Sequence, residues 1–150
     1  MISEKCLDLI KKYEGFSPLE YICAAGRRTI GYGHCLEAGE EYPAGISEKF
    51  AEELLAKDLK SAEKAVDYAV KVPLSAVQRE ALVSFAFNVG AGNFKRSLLL
   101  RLLNEGGYDE VPDQLMRWIY ANGSICAGLM RRRKAEAELF ASEDKKRRRK

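Results

Sequence analysis

Apolar side chains recur at helical spacing from Cys6 to Tyr13, a pattern typical of an amphipathic helix with one buried face. Ser3 can cap the start of this helix. Gly15 can end it, because glycine readily adopts the left-handed conformation that closes many helices. The pattern therefore predicts a short N-terminal helix whose last residue is Glu14.

The longest helical pattern begins at Ser47 and continues to Val70. Its apolar positions are Phe50, Leu54, Leu55, Leu59, Ala62, Val66 and Ala69. A helix of this length extends roughly 30 Å, which is enough to connect two lobes. Asp58 falls within the apolar stripe, where a carboxylate requires a partner.

Helical patterns also account for most of the second half of the chain. Ser75 and Gln78 form a capping box before an almost wholly apolar run, which predicts a helix buried at the centre of the larger lobe. Further helices are predicted for residues 97–103, for the segment from Pro112 to Gly123, and for residues 129–140. On the last of these helices, Arg132 and Glu136 lie four residues apart and should be partly buried, paired with each other or with a group opposite.

Residues 17–43 have a different pattern, in which glycines interrupt short runs of Tyr, Ile and Thr. This pattern predicts a small, irregular antiparallel sheet. Bends in the backbone explain Gly31 and Gly33 better than phosphate binding does. One small sheet among several helices indicates the α+β class.

Length and composition fit a single globular domain, with 150 residues of which 47% are apolar. The net charge is +3, but residues 131–150 alone carry ten Lys or Arg and four Asp or Glu. This asymmetry is compatible with a polyanionic partner such as bacterial envelope or nucleic acid. We favour the simpler interpretation, in which residues 143–150 form a basic, disordered and solvated tail.

Neither a membrane span nor an export signal is evident. No apolar run approaches the ~20 residues of a spanning helix, so we expect no stable membrane insertion. The N-terminal M-I-S-E-K-C-L-D-L-I lacks the apolar region of a signal peptide, which predicts synthesis in the cytoplasm without a signal peptide. The spacing of the four cysteines fits no metal site, and free thiols are the default in this context.

The candidate chemistry lies between Glu14 and His34, in E-G-F-S-P-L-E-Y-I-C-A-A-G-R-R-T-I-G-Y-G-H. Eight residues separate Glu14 from Cys23, and five separate Cys23 from Thr29. A helix end followed by a tight β-ribbon could face these three side chains toward one another. The segment resembles the catalytic segment of the phage-type lysozymes, the muramidases of glycoside hydrolase family 24. In that family a Glu, an Asp or Cys, and a Thr occur at this spacing.

The resemblance continues through L-V-S-F-A-F-N-V-G, S-L-L-L-R-L-L-N-E-G, W-I-Y-A-N-G and G-L-M-R-R-R-K-A-E-A-E-L-F. It implies a lysozyme-like domain over residues 1–142, in which a long helix connects two lobes with a peptidoglycan cleft between them. The small lobe, with its short antiparallel sheet, would comprise about residues 14–60, and the helical lobe residues 1–13 and 61–142.

The resemblance also implies an activity. The enzyme would hydrolyse the β-1,4 bond between N-acetylmuramic acid and N-acetylglucosamine in peptidoglycan, with inversion and without metal or cofactor. We expect a monomer that binds glycan strands, not nucleic acid, and that acts on the cell wall after release from the host cytoplasm.

Glu14 is the predicted general acid. Hydrolysis of a glycosidic bond needs a protonated carboxyl group to protonate the leaving oxygen. The C-terminal end of a helix and the wall of a cleft both disfavour the ionised form of Glu14, whereas an arginine from the last helix would favour it.

Cys23 and Thr29 are the predicted partners of this acid. The Thr29 hydroxyl can hold the attacking water. Cys23 stands where a carboxylate would act as a base, and a thiol is mostly neutral at pH 7. Glu20, three residues earlier, could substitute for the missing carboxylate if its side chain faced the cleft.

Further predictions concern binding and stability. Tyr32, Asn88 and Arg132 are predicted to contact the sugar chain. His34 and Asp58 are predicted to form an ion pair between the sheet and the long helix. Such a pair should raise the pKa of His34 and lower that of Asp58.

Three other functions remain open at this point. A lysozyme fold could bind peptidoglycan or another partner without cutting it, since position 23 lacks a carboxylate. The basic tail could bind nucleic acid. A lytic transglycosylase would form an anhydro product without water. A lysis assay, the salt dependence of a truncated chain, and the product mass would distinguish these functions.

Overall fold

The structure is a computed structural model that describes residues 2–23 and 26–148. Its helices are α1 (Glu4–Glu14), α2 (Glu48–Ala69), α3 (Ala76–Val89), α4 (Ala91–Arg96), α5 (Leu98–Asn104), α6 (Val111–Leu115) and α7 (Ala127–Arg148). A three-stranded antiparallel sheet has the order β1 (Ser17–Ile22), β2 (Arg28–Gly31) and β3 (His34–Cys35). A separate hairpin consists of β4 (Tyr120–Ala121) and β5 (Ser124–Ile125). These elements confirm the predicted α+β class.

Helix α1 begins and ends where the sequence predicted. The Ser3 hydroxyl accepts a hydrogen bond from the Cys6 N–H at 3.2 Å, as an N-cap does. Gly15 ends the helix with a φ of +71°, and its N–H donates to the Lys11 carbonyl at 2.9 Å. Glu14 is therefore the last residue of a helix with defined ends.

Helix α2 connects the sheet to the helical part of the molecule, because it contacts β2 and β3 as well as α3 and α4. Near its start, a Cβ added to Gly31 would lie only 3.1 Å from the Cβ of Ala51. Further along, Leu59, Ala62 and Val66 are buried in the main core. This single helix thus fixes the position of the sheet relative to the core, as the long apolar stripe predicted.

Helix α3 lies at the centre of the core. Its predicted capping box is present: the Gln78 N–H donates to the Ser75 hydroxyl at 3.2 Å, and the Ser75 N–H donates to Gln78 Oε1 at 2.9 Å. It packs against α1, α2, α4 and α7. Contact on all sides explains why its sequence has almost no polar face.

The segment after α6 differs from the helix predicted between Pro112 and Gly123. Helix α6 ends at Leu115, and β4 and β5 then form a hairpin around Asn122 and Gly123. Both turn residues have a positive φ, 52° and 81°. Asn-Gly favours such a turn, and this dipeptide was the signal that the helical prediction overlooked.

Two other boundaries also differ from the predictions. Helix α4 starts directly after Gly90, where only a glycine-rich break was predicted. Helix α7 continues to Arg148, which corrects the disorder expected for residues 143–148. The sequence E-D-K-K-R-R has no Gly or Pro, and Glu, Lys and Arg are good helix formers. Residues 149–150 of the predicted tail lie outside the described residues.

Candidate active site

A cleft of about 720 Å³ lies between one face of the three-stranded sheet and the C-terminal end of α3. Glu14 enters it from the end of α1, Thr29 lines it from β2, and Cys23 lines it from the position directly after β1. Asn88 of α3 and Arg96 of α4 form part of the opposite wall. The three residues of the predicted catalytic segment therefore line one cavity.

The carboxylate of Glu14 is held from two sides. On one side, Arg132 Nη1 of α7 donates to Glu14 Oε1 at 2.5 Å. On the other side, Glu14 Oε2 lies so close to Gly33 that an added Cβ would be 2.4 Å away. The Glu14 side chain retains 16% exposure, so it remains accessible from the cleft. The sequence pattern indicated only a bend at Gly33 and gave no sign of its contact with the candidate acid.

Arg132 holds the Glu14 carboxylate in place and does not form part of the wall of the main cleft. Its side chain is 3% exposed and does not line the main cleft. Its other contacts are within the core: Nη2 donates to the Ser84 carbonyl at 3.3 Å, and Nε to Glu136 Oε2 at 3.4 Å. The Ser84 hydroxyl also donates to Glu136 at 2.5 Å. The predicted pairing of Arg132 with Glu136 is present, and Arg132 also contacts Glu14, while its predicted contact with a sugar stays a prediction.

A second buried arginine connects this network to the opposite wall of the cleft. Arg133 Nη1 donates to Glu136, and Arg133 Nη2 donates to the side-chain oxygen of Asn88. Burial lowers the pKa of the Arg133 guanidinium, although Glu136 opposes this shift. Asn88 therefore lines the cleft with its amide held from behind, which leaves its NH₂ group available to a ligand.

The backbone joins Cys23 to Thr29. The Arg27 carbonyl accepts from the Cys23 N–H and from the Thr29 hydroxyl, both at 2.9 Å. Thr29 is 2% exposed and lies in the central strand β2. Because its hydroxyl donates to Arg27, its lone pairs remain available to accept a hydrogen bond from water.

Two cleft residues of the sheet were missed by sequence analysis. Tyr21 and Cys35 are the cross-strand partners of Thr29 on β1 and β3, so the three side chains share one face of the sheet. Both also line the cleft. Burial raises the pKa of the Tyr21 hydroxyl, and the negative charge of Glu14 raises it further. The spacing of two between Tyr21 and Cys23 was the available signal.

Two expectations for this region are corrected. Tyr32 does not line the cleft; it is 5% exposed, packs on Phe16, and donates its hydroxyl to Glu48 at 2.7 Å. Burial and this hydrogen bond raise the pKa of Tyr32 to about 12. Glu20, considered as a replacement for a carboxylate at position 23, is exposed and pairs with Arg28 at 2.5 and 2.9 Å. Its side chain is thus engaged away from the cleft.

His34 lies between two carboxylates. Its Nδ1 is 2.7 Å from Asp58 Oδ2 of α2, and its Nε2 is 3.1 Å from Glu40 Oε2. The Tyr42 hydroxyl donates to the same oxygen of Glu40. The contact between His34 and Asp58 thus joins β3 to α2 at the floor of the cleft.

For His34 and Asp58, burial and hydrogen bonding shift the pKa in opposite directions. Burial alone would lower the pKa of His34, but hydrogen bonds to Asp58 and Glu40 outweigh it and raise that pKa. For Asp58 burial dominates, so its pKa is raised despite the nearby imidazole. This corrects the lowered pKa of Asp58 that the sequence led us to expect. The pKa of Glu40 is lowered, first by the hydrogen bond from the Glu37 N–H.

A second cavity of about 400 Å³ lies on the other side of Glu14. Glu14 and Asn88 line both cavities, while Tyr13, Cys126 and Arg132 line only this one. Glu14 is therefore located between two open regions and not at the closed end of a pocket.

The described residues contain neither a cluster suited to a metal ion nor a helix suited to crossing a membrane. No group of three or more His, Cys, Asp or Glu among them is arranged to hold a metal ion. None of the helices in residues 2–23 and 26–148 is long and apolar enough to cross a membrane. Cys6 is buried, which raises the pKa of its thiol to about 12.

Comparison with known proteins agrees with this geometry. A family model described as "Phage lysozyme" matches residues 11–136. An endolysin of Acyrthosiphon pisum secondary endosymbiont phage 1 is 41% identical over 147 residues, which cover 94% of this chain and 98% of that protein.

Solved structures are similar over nearly the whole chain. The muramidase domain of SpmX from Asticaccaulis excentricus has a TM-score of 0.84 and 37% identity, with coverage of 93% of this chain and 97% of that one. An endolysin from Escherichia coli O157:H7 phage FAHEc1 has a TM-score of 0.83 and 30% identity, with coverage of 95% and 94%. The family match spans the cleft with Glu14, Cys23 and Thr29, and the chain therefore belongs to the phage lysozyme family of glycoside hydrolases.

Proposed function

We propose that this enzyme hydrolyses the β-1,4 bond between N-acetylmuramic acid and N-acetylglucosamine in peptidoglycan, with inversion at the anomeric carbon. One observation carries the proposal: Glu14, fixed between Arg132 and Gly33, lines the same cleft as Cys23 and Thr29. Family relatives named endolysins and a muramidase domain support this substrate.

Glu14 is the general acid of the proposed reaction. Arg132 occupies Oε1, so Oε2, which lies beside Gly33, is the oxygen we assign to proton transfer. In its protonated form this oxygen donates the proton to the glycosidic oxygen as the bond breaks, so that the leaving sugar departs as a neutral alcohol. The contact with Arg132 fixes the orientation of the carboxyl group before the substrate arrives.

Thr29 and Cys23 position the attacking water. The Thr29 hydroxyl donates to the Arg27 carbonyl and can accept a hydrogen bond from water, which leaves a lone pair of the water for the anomeric carbon. As the new C–O bond forms, the attacking water releases its proton to solvent water in the open cleft. Retention would require a second carboxylate as nucleophile in most glycosidases. Besides Glu14, the carboxylates that line the cleft are Glu37 and Asp58, and Asp58 is engaged by His34. A water held by a hydroxyl and a thiol favours direct displacement, hence inversion.

The two cavities favour cleavage within a glycan strand. Because open regions of about 720 and 400 Å³ meet at Glu14, sugars can occupy both sides of the bond that Glu14 protonates. Such an endo-acting enzyme would solubilise a cell wall with few cuts. We accordingly propose that it acts on the wall after release, in phage-mediated lysis of the host.

A non-catalytic peptidoglycan-binding module is the second candidate, since Cys23 supplies no carboxylate beside Thr29. Clearing of chloroform-treated Gram-negative cells distinguishes the two functions. We expect wild type to lower the turbidity and Glu14→Gln, which keeps the shape of the side chain, to be slower by about 10²-fold or more. Glu4→Gln, at the exposed start of the same helix, is the matched control. A Glu14→Gln variant with half of the wild-type rate would contradict the assignment.

A further inference from the structure

Several cations surround one exposed tyrosine on the outer face of α2 and the adjoining α4 and α5. The tyrosine is Tyr68, which is 74% exposed. Lys71 Nζ and Lys95 Nζ lie 4.6 Å and 5.9 Å from its ring centroid. Lys64, four residues before Tyr68 on α2, lies on the same helix face. We name this surface the basic strip, and it consists of Lys64, Tyr68, Lys71, Lys95, Arg96 and Arg101.

The basic strip has no carboxylate partner within the protein, as far as the described residues extend. None of its five cations forms an ion pair with a described carboxylate. Carboxylates of α2 pair with cations elsewhere, Glu52 with Lys11 and Asp67 with Arg79. The positive charge of the strip is therefore available to an external anion.

A shallow pocket of about 420 Å³ lies within the basic strip, and its lining is chemically mixed. Lys95 and Arg101 supply charge, and Leu98 and Leu100 supply apolar surface. Leu98 is 38% exposed, so its side chain is accessible to a ligand. The pocket thus suits a ligand that combines carboxylates with small apolar groups.

The base of this surface is rigid. Asn104 of α5 accepts a hydrogen bond from the Lys71 N–H at 2.7 Å and donates to the Ala69 carbonyl at 3.0 Å. These two bonds attach the end of α2 to α5. The backbone segments that carry these cations therefore keep their relative positions.

The basic strip is continuous with the catalytic cleft. Arg96 lines both the cleft and the pocket of the strip. A polymer held in the cleft therefore passes close to the strip, and groups attached to that polymer can reach it.

We propose that the basic strip binds the free carboxylates of the peptide stems that peptidoglycan carries on its muramic acid residues. The inference rests on the proposed function, since the glycan in the cleft would present these stems. Stem peptides combine carboxylates with alanine methyl groups, which matches the mixed lining. A polymer of phosphodiesters would require only cations for binding, and the apolar part of the lining would then have no role.

The test compares two substrates and two triple variants of the full chain. The strip variant is Lys64→Gln, Lys71→Gln and Lys95→Gln. The control variant, Lys5→Gln, Arg117→Gln and Lys134→Gln, loses the same charge from exposed positions outside the strip. The substrates are Gram-negative sacculi, which lack wall phosphate polymers, and the same glycan stripped of stems by an N-acetylmuramoyl-L-alanine amidase.

On intact sacculi we expect the strip variant to raise KM about fivefold at low salt with kcat unchanged, and the control variant to match wild type. On stripped glycan all three proteins should be equivalent. Equal losses on both substrates, or an equal loss in the control, would overturn the proposal. Gram-positive walls that retain phosphate polymers are assayed in addition, and a defect seen only on them would also overturn the proposal.

Co-sedimentation with sacculi, measured in the Glu14→Gln background, separates this inference from the proposed function. If wild type hydrolyses neither substrate, the proposed function fails, yet binding still reports on the strip. If wild type hydrolyses sacculi and the strip variant binds as wild type does, only the inference fails. Thermal unfolding of each variant checks that its fold is intact.

Discussion

At the scale of single residues, Gly33 determines the position that the Glu14 side chain can occupy in the cleft. Its φ of +74° is unfavourable for other residues, and an added Cβ would lie 2.4 Å from Glu14 Oε2. We expect Gly33→Ala to lower the initial lysis rate by more than about tenfold, because Glu14 must move away from its position.

Gly39→Ala is the matched control for this prediction. Gly39 has a φ of +90°, but nothing lies within 4 Å of an added Cβ. Both variants should lose roughly 1 kcal/mol of stability through backbone strain, whereas only Gly33→Ala should lose activity. Equal activity losses would show that strain alone accounts for the effect.

A second prediction at this scale concerns the residues that hold the water. Thr29→Val keeps the shape but removes the hydroxyl that contacts Arg27, and we expect the lysis rate to fall by about 10²-fold. Cys23→Asp should keep or raise the rate, because a carboxylate supplies a base at the same place. Ser61→Ala, which removes a hydroxyl from the exposed side of α2, is the control and should leave the rate unchanged. Full activity of both Thr29→Val and Cys23→Phe would contradict the assignment.

At the scale of secondary-structure elements, the contact of His34 with Asp58 ties β3 to α2 and makes stability depend on pH. The raised pKa of His34 means that its stabilising contribution is fully present below the unfolded value of ~6.5 and disappears as pH rises through the folded value. The pKa of Asp58 is also raised, so its ionisation weakens the folded state as pH rises above the unfolded value.

We therefore expect His34→Asn to lower the free energy of unfolding more at pH 5.5 than at pH 9, by roughly 1 kcal/mol. Urea unfolding at the two pH values measures this difference. Tyr42→Phe, which removes one hydrogen bond to Glu40 but no imidazole, should show no such difference. Equal losses for His34→Asn at pH 5.5 and pH 9 would refute the contribution of the pair.

At the scale of the whole molecule, a buried ionic network connects α1, α3 and α7 behind the cleft. Glu136 is fully buried and contacts Arg132, Arg133 and Ser84. Through Arg132 it reaches Glu14. The arrangement therefore couples the stability of the core to the geometry of the site.

Glu136→Gln should destabilise the fold by roughly 3 kcal/mol, because two buried guanidinium groups lose their shared carboxylate. Glu138→Gln, exposed on the same helix, should have almost no effect. Denaturant unfolding gives both values. A loss below about 1 kcal/mol for Glu136→Gln would mean that the network contributes little to stability.

Local features of the chain were predictable because they depend on neighbours in sequence. The caps at Ser3 and Gly15, the capping box at Ser75 and the length of α2 all follow from interactions within a few residues. The spacing of Glu14, Cys23 and Thr29, together with the family resemblance, likewise located the cleft residues.

The orientation of other side chains was decided only by the tertiary structure. The pairing of β1 with β2 shifts register between Ser17 and Tyr21, so simple alternation could not say that Glu20 would pair with Arg28 away from the cleft. Similarly, the contact of Arg132 with Glu14 joins residues far apart in sequence. Such contacts depend on how distant elements pack and on strand register, and neither is contained in the local pattern of polar and apolar residues.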